Sequence, residues 1–380
     1  EEQSQADVKN LPASNADFAF KFYKQVRVDK DNQNIIFSPL SISTAFAMLS
    51  VGARSSTLRE LHKGLEFNMT EQEIHEGFQS LLQLLNDPHQ DVQLNISNAL
   101  FVDERVQVHR GFSDKVTNFY YSEAVPSNFR NLSEATKEIN EYMNTKTHGK
   151  IVDLVKSLSP NTLMVLINSI FFKGSWKKPF KNIDTREDDF YLDAKNSVKV
   201  KMMHQKQFLN VYRDKRLSCW VVELPYKGNV TSLFVVPDEE MIKQVENALL
   251  RETVSDWLRL LERRNVYLDL PKFSVSSSYD IKKLLKKMGV TEVFTCEANL
   301  SGVAENYLLW VSEAVHKTRV DVQEGGTEAA AATVIRTVSM ALPPPDHRPV
   351  SITINKPFLM MVIDKTTDSL LFLVKIVNPA

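Results

Sequence analysis

Residues 324–345 constrain this chain more than any other stretch. They read Glu-Gly-Gly-Thr-Glu-Ala-Ala-Ala-Ala-Thr-Val-Ile-Arg-Thr-Val-Ser-Met-Ala-Leu-Pro-Pro-Pro. The four alanines, taken alone, read equally well as a short helix, because alanine is the best helix former. The run that follows, Thr333 to Val338, is β-branched at every position except Arg336, and that favours extended backbone. No proline interrupts the stretch from Thr327 to Ala341, so a strand made of it keeps every backbone donor. Gly325 and Gly326 stand in front as a hinge, since glycine tolerates angles other residues avoid. The segment is therefore able to enter a sheet as an additional strand, and the fold must leave room for it.

The rest of the chain reads as one domain, 16–380, behind a polar N-terminal tail over 1–15. There is no internal repeat, and no proline-rich run precedes Pro343. Helical periodicity covers 17–26, 40–51 and 71–85. Ser38 is placed as an N-cap with Pro39 at the first helical position, where a missing N–H costs nothing. The helix that follows is apolar almost all round and should be buried on most sides. Strand patterns occupy 163–172, 197–203, 218–224, 231–236, 266–270, 309–322, 351–354, 358–363 and 370–377, with a strand-like run at 91–101. Helices are expected at 239–249, 253–263 and 279–288. Helices first and strands later, without strict alternation, point to an α+β fold.

Composition removes several function classes. With 46 basic and 47 acidic residues the formal net charge is −1, whereas nucleic acid or an acidic membrane selects a basic excess. No stretch approaches the length of a membrane span. Two cysteines, Cys219 and Cys296, exclude a disulfide scaffold. Cys219 lies in an apolar run and reads as a small buried hydrophobe. The N-terminus lacks a signal peptide's apolar region, as in a mature secreted chain or a cytosolic one. Asn-x-Ser/Thr sequons at Asn68, Asn95, Asn131, Asn229 and Asn299 favour secretion. Asn95 lies inside a strand-like run, so sugar is expected at the other four.

Catalytic signatures are missing. There is no Gly-x-Ser-x-Gly elbow, phosphate-binding loop or dinucleotide fingerprint. His75-Glu-Gly-Phe-Gln79 begins like a zinc-protease helix but lacks the second histidine. The eight histidines show no ligand spacing, so neither a metal nor a cofactor is expected.

Ordered motifs along the chain carry a family resemblance. They are Asn34-Ile-Ile-Phe-Ser-Pro-Leu-Ser-Ile-Ser-Thr-Ala-Phe-Ala-Met-Leu-Ser-Val-Gly-Ala53, Asn168-Ser-Ile-Phe-Phe-Lys-Gly-Ser-Trp176, Glu223-Leu-Pro-Tyr226 and Leu268-Asp-Leu-Pro-Lys-Phe-Ser274. Ala314-Val-His-Lys317, Asn355-Lys-Pro-Phe358 and Phe372-Leu-Val-Lys-Ile-Val-Asn-Pro379 complete them. Together they resemble the serpins, and within them the extracellular vertebrate group of α1-antitrypsin, α1-antichymotrypsin and vaspin. The resemblance implies three sheets, about nine helices and an exposed reactive loop over about 324–345. It implies a secreted, monomeric inhibitor that is not an enzyme: a serine protease cuts the loop, which inserts into the central sheet and traps the acyl-enzyme. The alternative within the family is a non-inhibitory carrier of a small hydrophobic ligand such as a hormone.

Residue by residue, the resemblance makes Glu324, Gly325, Gly326, Thr327, Glu328, Ala329, Ala330, Ala331 and Ala332 the hinge. With Glu324 counted as the seventeenth residue before the cut, the reactive bond is Met340–Ala341, with Ser339 and Leu342 as neighbouring alternatives. A methionine there fits chymotrypsin- or elastase-like proteases. Ser38, Ser41, Asn168 and His316 match the polar cluster beneath the centre of the main sheet, and Trp176 the tryptophan at its top. Gly325 and Val374 depart from the common residues. Basic clusters at Arg259, Arg263, Arg264 and at Lys282, Lys283, Lys286, Lys287 offer weak glycosaminoglycan binding, with solvated helix faces as the plainer reading.

Overall fold

The computed structural model describes residues 2–88, 92–326 and 348–380, and for residues 2–10 the backbone alone. Six helices and four strands make up most of the first half. The helices are α1 (Glu2–Lys30), α2 (Pro39–Ser50), α3 (Ser55–Gly64), α4 (Glu71–Leu85), α5 (Arg110–Tyr120) and α6 (Leu132–Lys146). The strands are β1 (Ile35–Phe37), β2 (Val92–Asp103), β3 (Glu123–Ser127) and β4 (Met164–Gly174). The second half is mainly strand: β5 (Arg186–Tyr191), β6 (Ser197–Asp214), β7 (Cys219–Pro225), β8 (Val230–Pro237), β9 (Glu262–Asp280), β10 (Val315–Val322), β11 (Val350–Thr353), β12 (Phe358–Asp364) and β13 (Ser369–Ile376). Three short helices intervene, α7 (Ile242–Asn247), α8 (Arg251–Leu260) and α9 (Ile281–Lys287).

Local chemistry sets several of these boundaries. Ser38 caps α2, its Oγ accepting from the Ser41 N–H at 3.2 Å with Pro39 in the first turn. Thr70 and Glu73 form a reciprocal capping box on α4, and the helix buries Ile74, Phe78, Leu81, Leu82 and Leu85 on one face. Asp280 ends β9 and caps α9, accepting from the Lys283 N–H at 3.1 Å.

Two sheets result. The larger runs β1-β13-β12-β8-β7-β6-β9-β10, with β11 on β9 and β5 on β6. The smaller runs β3-β2-β4. Strand β9 serves two regions at once: its first half pairs β6 and β11, and its second half, from Phe273 to Asp280, pairs β10. That continuity joins what the family resemblance treats as separate sheets. β12 and β13 are buried almost throughout and form the centre of the main core with α2.

Two expectations change. The N-terminal tail is helical from Glu2, and Leu11, Ser14 and Asn15 are buried, Asn15 accepting from the Ser43 hydroxyl at 2.7 Å. The strand expected from residue 309 begins only at Val315. Before that, the Val311 N–H and the Ala314 carbonyl bond to Val293 and Ile281, outside any ladder.

Candidate functional site

β4 and β10 face each other across a cleft of about 1280 Å³. β2 covers one edge of β4 and β9 one edge of β10. Among the described residues no strand pairs between the facing edges along Met164–Phe172 and Val315–Val322. The floor comes from α2 through Ser41, Ile42, Ala45 and Phe46. On the outer side the segment after α6 ties to both walls. His148 stacks on Phe171 of β4 at 4.2 Å, Lys150 pairs with Asp321 of β10 at 2.7 Å, and Lys317 donates to the Asp153 carbonyl at 2.6 Å.

The upper end is closed by the segment 323–326. Trp176 is almost fully buried and stacks on Tyr226 at 4.4 Å, its indole N–H donating to the Gln323 carbonyl at 2.9 Å. The Trp176 and Phe180 backbone N–H groups donate to the Gly325 and Glu324 carbonyls at 3.1 and 2.8 Å. Gly326 lies at φ +101°, and a Cβ there would fall 2.2 Å from the Gly174 carbonyl oxygen. Only glycine fits. The Glu324 carboxylate, nearly buried, pairs with Lys272 at 3.2 Å and accepts from the Thr185 hydroxyl at 3.1 Å. Burial works against its charge, but its own backbone N–H, Lys272 and Thr185 outweigh that and hold it below its ordinary value.

The polar cluster sits midway. The Ser38 N–H donates to His316 Nε2 at 3.0 Å, and the Thr318 hydroxyl lies 2.8 Å from the same nitrogen. Nε2 is therefore the acceptor, and the neutral ring carries its proton on Nδ1. Burial pushes His316 down to about 4, because a buried imidazolium loses its hydration. Asn168, on the opposite wall, donates to Asn98 at 2.7 Å, and Asn98 to the Tyr120 carbonyl at 2.8 Å. The structure thus brings Ser38, Ser41 and His316 together and leaves Asn168 across the cleft, its buried Oδ1 without a hydrogen-bond partner among the described residues. Sequence reasoning missed Thr318, Asn98, Lys272 and Thr185. Lys272 and Thr318 lie within or beside quoted motifs, but nothing in the sequence pairs them with their partners.

Thr327, Glu328, Ala329, Ala330, Ala331, Ala332, Met340 and Ala341 lie outside the described residues. Among the described residues no group of three or more His, Cys, Asp or Glu side chains is arranged to hold a metal, and no helix is long and apolar enough to cross a membrane. Cys219 is buried and its thiol is pushed up to about 12, first by burial and then by Asp214. Cys296 is exposed. Asn68, Asn131 and Asn229 are exposed, and Asn299 is half-buried. Of the basic residues, Arg259 lies in α8, Arg263 and Arg264 belong to β9, and Lys283 and Lys287 pair with Asp29.

A family model described as serpin (serine protease inhibitor) matches residues 13–379. The chain is a serpin. It is 44% identical over 375 residues to α1-antichymotrypsin of Pongo abelii, covering 97% of this chain and 88% of that protein. It is 41% identical over 382 residues to α1-antitrypsin of Sus scrofa, covering 100% and 89%. In structure this serpin is similar to human thyroxine-binding globulin complexed with its hormone, at TM-score 0.91 and 38% identity over 98% of this chain and 100% of that one. Human glycosylated kallistatin follows at 0.89 and 37%, over 98% and 99%.

Proposed function

We propose that this serpin is a secreted suicide inhibitor of serine proteases of the chymotrypsin or elastase type, cut at Met340–Ala341. The protease's serine oxygen bonds to the Met340 carbonyl carbon, the bond to the Ala341 nitrogen breaks, and the new amine end leaves. The freed strand, running from the hinge at Glu324, then fills the cleft and carries the acylated protease with it before water completes hydrolysis. The observation that carries this reading is the cleft itself: two strand edges face each other over α2, and the hinge enters at its upper end. An added strand there gains a ladder on both sides. Relatives named for protease inhibition support it.

The test is to mix the purified protein with chymotrypsin, neutrophil elastase and trypsin and to run a denaturing gel with mass analysis. A complex that survives SDS, with a released C-terminal peptide starting at Ala341, is the expected outcome. Cleavage near Met340 without any covalent complex moves the assignment to a small-ligand carrier, the reading favoured by the likeness to thyroxine-binding globulin. The protein acts as a monomer with weak affinity for glycosaminoglycan, and passage through a heparin column at physiological salt without retention would overturn that affinity.

A further inference from the structure

Asn95, the sequon whose place in a strand counts against it in sequence, stands in the fold as an open attachment point. β2 alternates strictly at its start: Val92, Leu94 and Ile96 point into the core while Gln93 and Asn95 are exposed. The cover that α6 gives the outer face lies further along, where Ile139 and Met143 pack on Ala99, Phe101 and Ile167. At Asn95 the strand is also an edge, because β3 pairs only with residues 99–103. β4 pairs the other side of the strand, and on this side the Asn86 amide clasps Ile96 at 2.7 and 3.0 Å. The Asn95 amide makes no hydrogen bond among the described residues. Two of the other sequons differ in this respect, while Asn68 and Asn229 resemble Asn95: Asn131 caps α6 and contacts Glu134, and Asn299 accepts from Ser301.

We infer that Asn95 carries an N-linked glycan, an assignment that rests on the proposed secretion of the chain. In the step that attaches it, Asn95 Nδ2 displaces a lipid diphosphate from the anomeric carbon of a lipid-linked oligosaccharide. One C–N bond forms, one C–O bond breaks, the diphosphate leaves with the electron pair, and the amide gives up one of its two protons to the transferase's base. Ser97 supplies the sequon hydroxyl. The transfer precedes folding, so the fold's part is compatibility: a glycan on Asn95 projects into solvent from a strand that buries nothing at that position. It also stands beside an open strand edge, where bulk discourages pairing with another chain.

The experiment expresses the full chain in a secreting mammalian cell line, treats the purified protein with peptide N-glycosidase in heavy-oxygen water, and maps the peptides. The Asn95 peptide should return as heavy-labelled aspartate. N95Q and S97A should each lose the mass of one glycan while still reaching the medium. An unmodified Asn95 peptide beside occupied Asn68 or Asn229 overturns the inference and leaves secretion standing. Chain retained in the cytosol with every sequon bare overturns both.

Discussion

The two levels of the cleft are held in opposite ways. At the top, backbone and aromatic contacts run from one wall to the other: Trp176, just past β4, bonds to Gln323 and Gly325, just past β10. Midway, each wall is tied to something else. His316 of β10 bonds to Ser38 in the floor, and Asn168 of β4 bonds sideways to Asn98. The upper end is thus a fixed point beside the proposed hinge, while the middle, among the described residues, is a pair of edges with no strand pairing between them. A strand arriving from the hinge meets no wall-to-wall contact among the described residues until the strap at Lys150, Asp321 and Lys317 on the outer face.

The sharpest way to break this comparison is to spoil the arriving strand. A330P removes a ladder donor from the inserted strand and leaves its buried acceptor unsatisfied, at a cost of up to about 3 kcal/mol. That is roughly a hundredfold shift from trapping toward turnover. Cleavage should continue while the SDS-stable complex with the target protease disappears. A complex yield equal to wild type would mean that the cleft does not receive this segment. The fixed point can be broken as well. W176A empties a fully buried site and should cost about 3–5 kcal/mol, read as a lower denaturant midpoint. The floor substitution Ile42→Val should cost only about 1 kcal/mol.

How much of this was legible in sequence depends on how far each signal reaches. Ser38 and Pro39 announce α2 because a cap and a first-turn proline act over three residues, and α4 was bounded correctly by its periodicity. α3, α5 and α6 were missed: each buries only three residues, and α6 packs on a small satellite core. The start of β10 was misplaced because Leu309, Trp310 and Val311 carry strand-forming side chains but join no ladder among the described residues, and the Val311 N–H goes instead to the Val293 carbonyl. Cluster members Ser38 and His316 came from the family motif, yet their contact spans 278 positions, and no local rule predicts that. The Glu324–Lys272 pair, 52 positions apart, also went unseen.

The middle of the cleft can be tested by acid. His316 titrates near 4 in the fold against 6.5 when unfolded, so the unfolded chain binds more protons between those values. Stability is then full above about pH 6.5, falls as the pH drops, and the loss is complete by about pH 4. The two values differ by an amount worth on the order of 3 kcal/mol. H316Q should flatten much of that slope in denaturant midpoints measured across the window. It will not remove all of it, because His62 in α3 is also pushed down to about 4 by burial. H316Q should also lower stability at pH 7.5 by about 1–3 kcal/mol if the new amide fails to accept from Ser38. An unchanged slope would mean that the ring is not held neutral by the fold.

The smallest expected effect belongs to the charged pair at the top. E324Q keeps the side chain's shape and removes its charge from Lys272, whose own side chain is 43% exposed. Solvent screens such a pair, so the loss should be about 1 kcal/mol or less at neutral pH. Its acid signature separates it from the cluster below. The Glu324 carboxyl is held under its ordinary 4.5, so its contribution is present above that value and is lost only as the pH falls further. At pH 5.5, therefore, wild type and E324Q should have lost the same amount relative to pH 7.5, while H316Q should have lost less. If E324Q instead flattens the slope between pH 6.5 and 4.5, the two levels of the cleft are coupled, and the fixed point and the parting edges act as one unit.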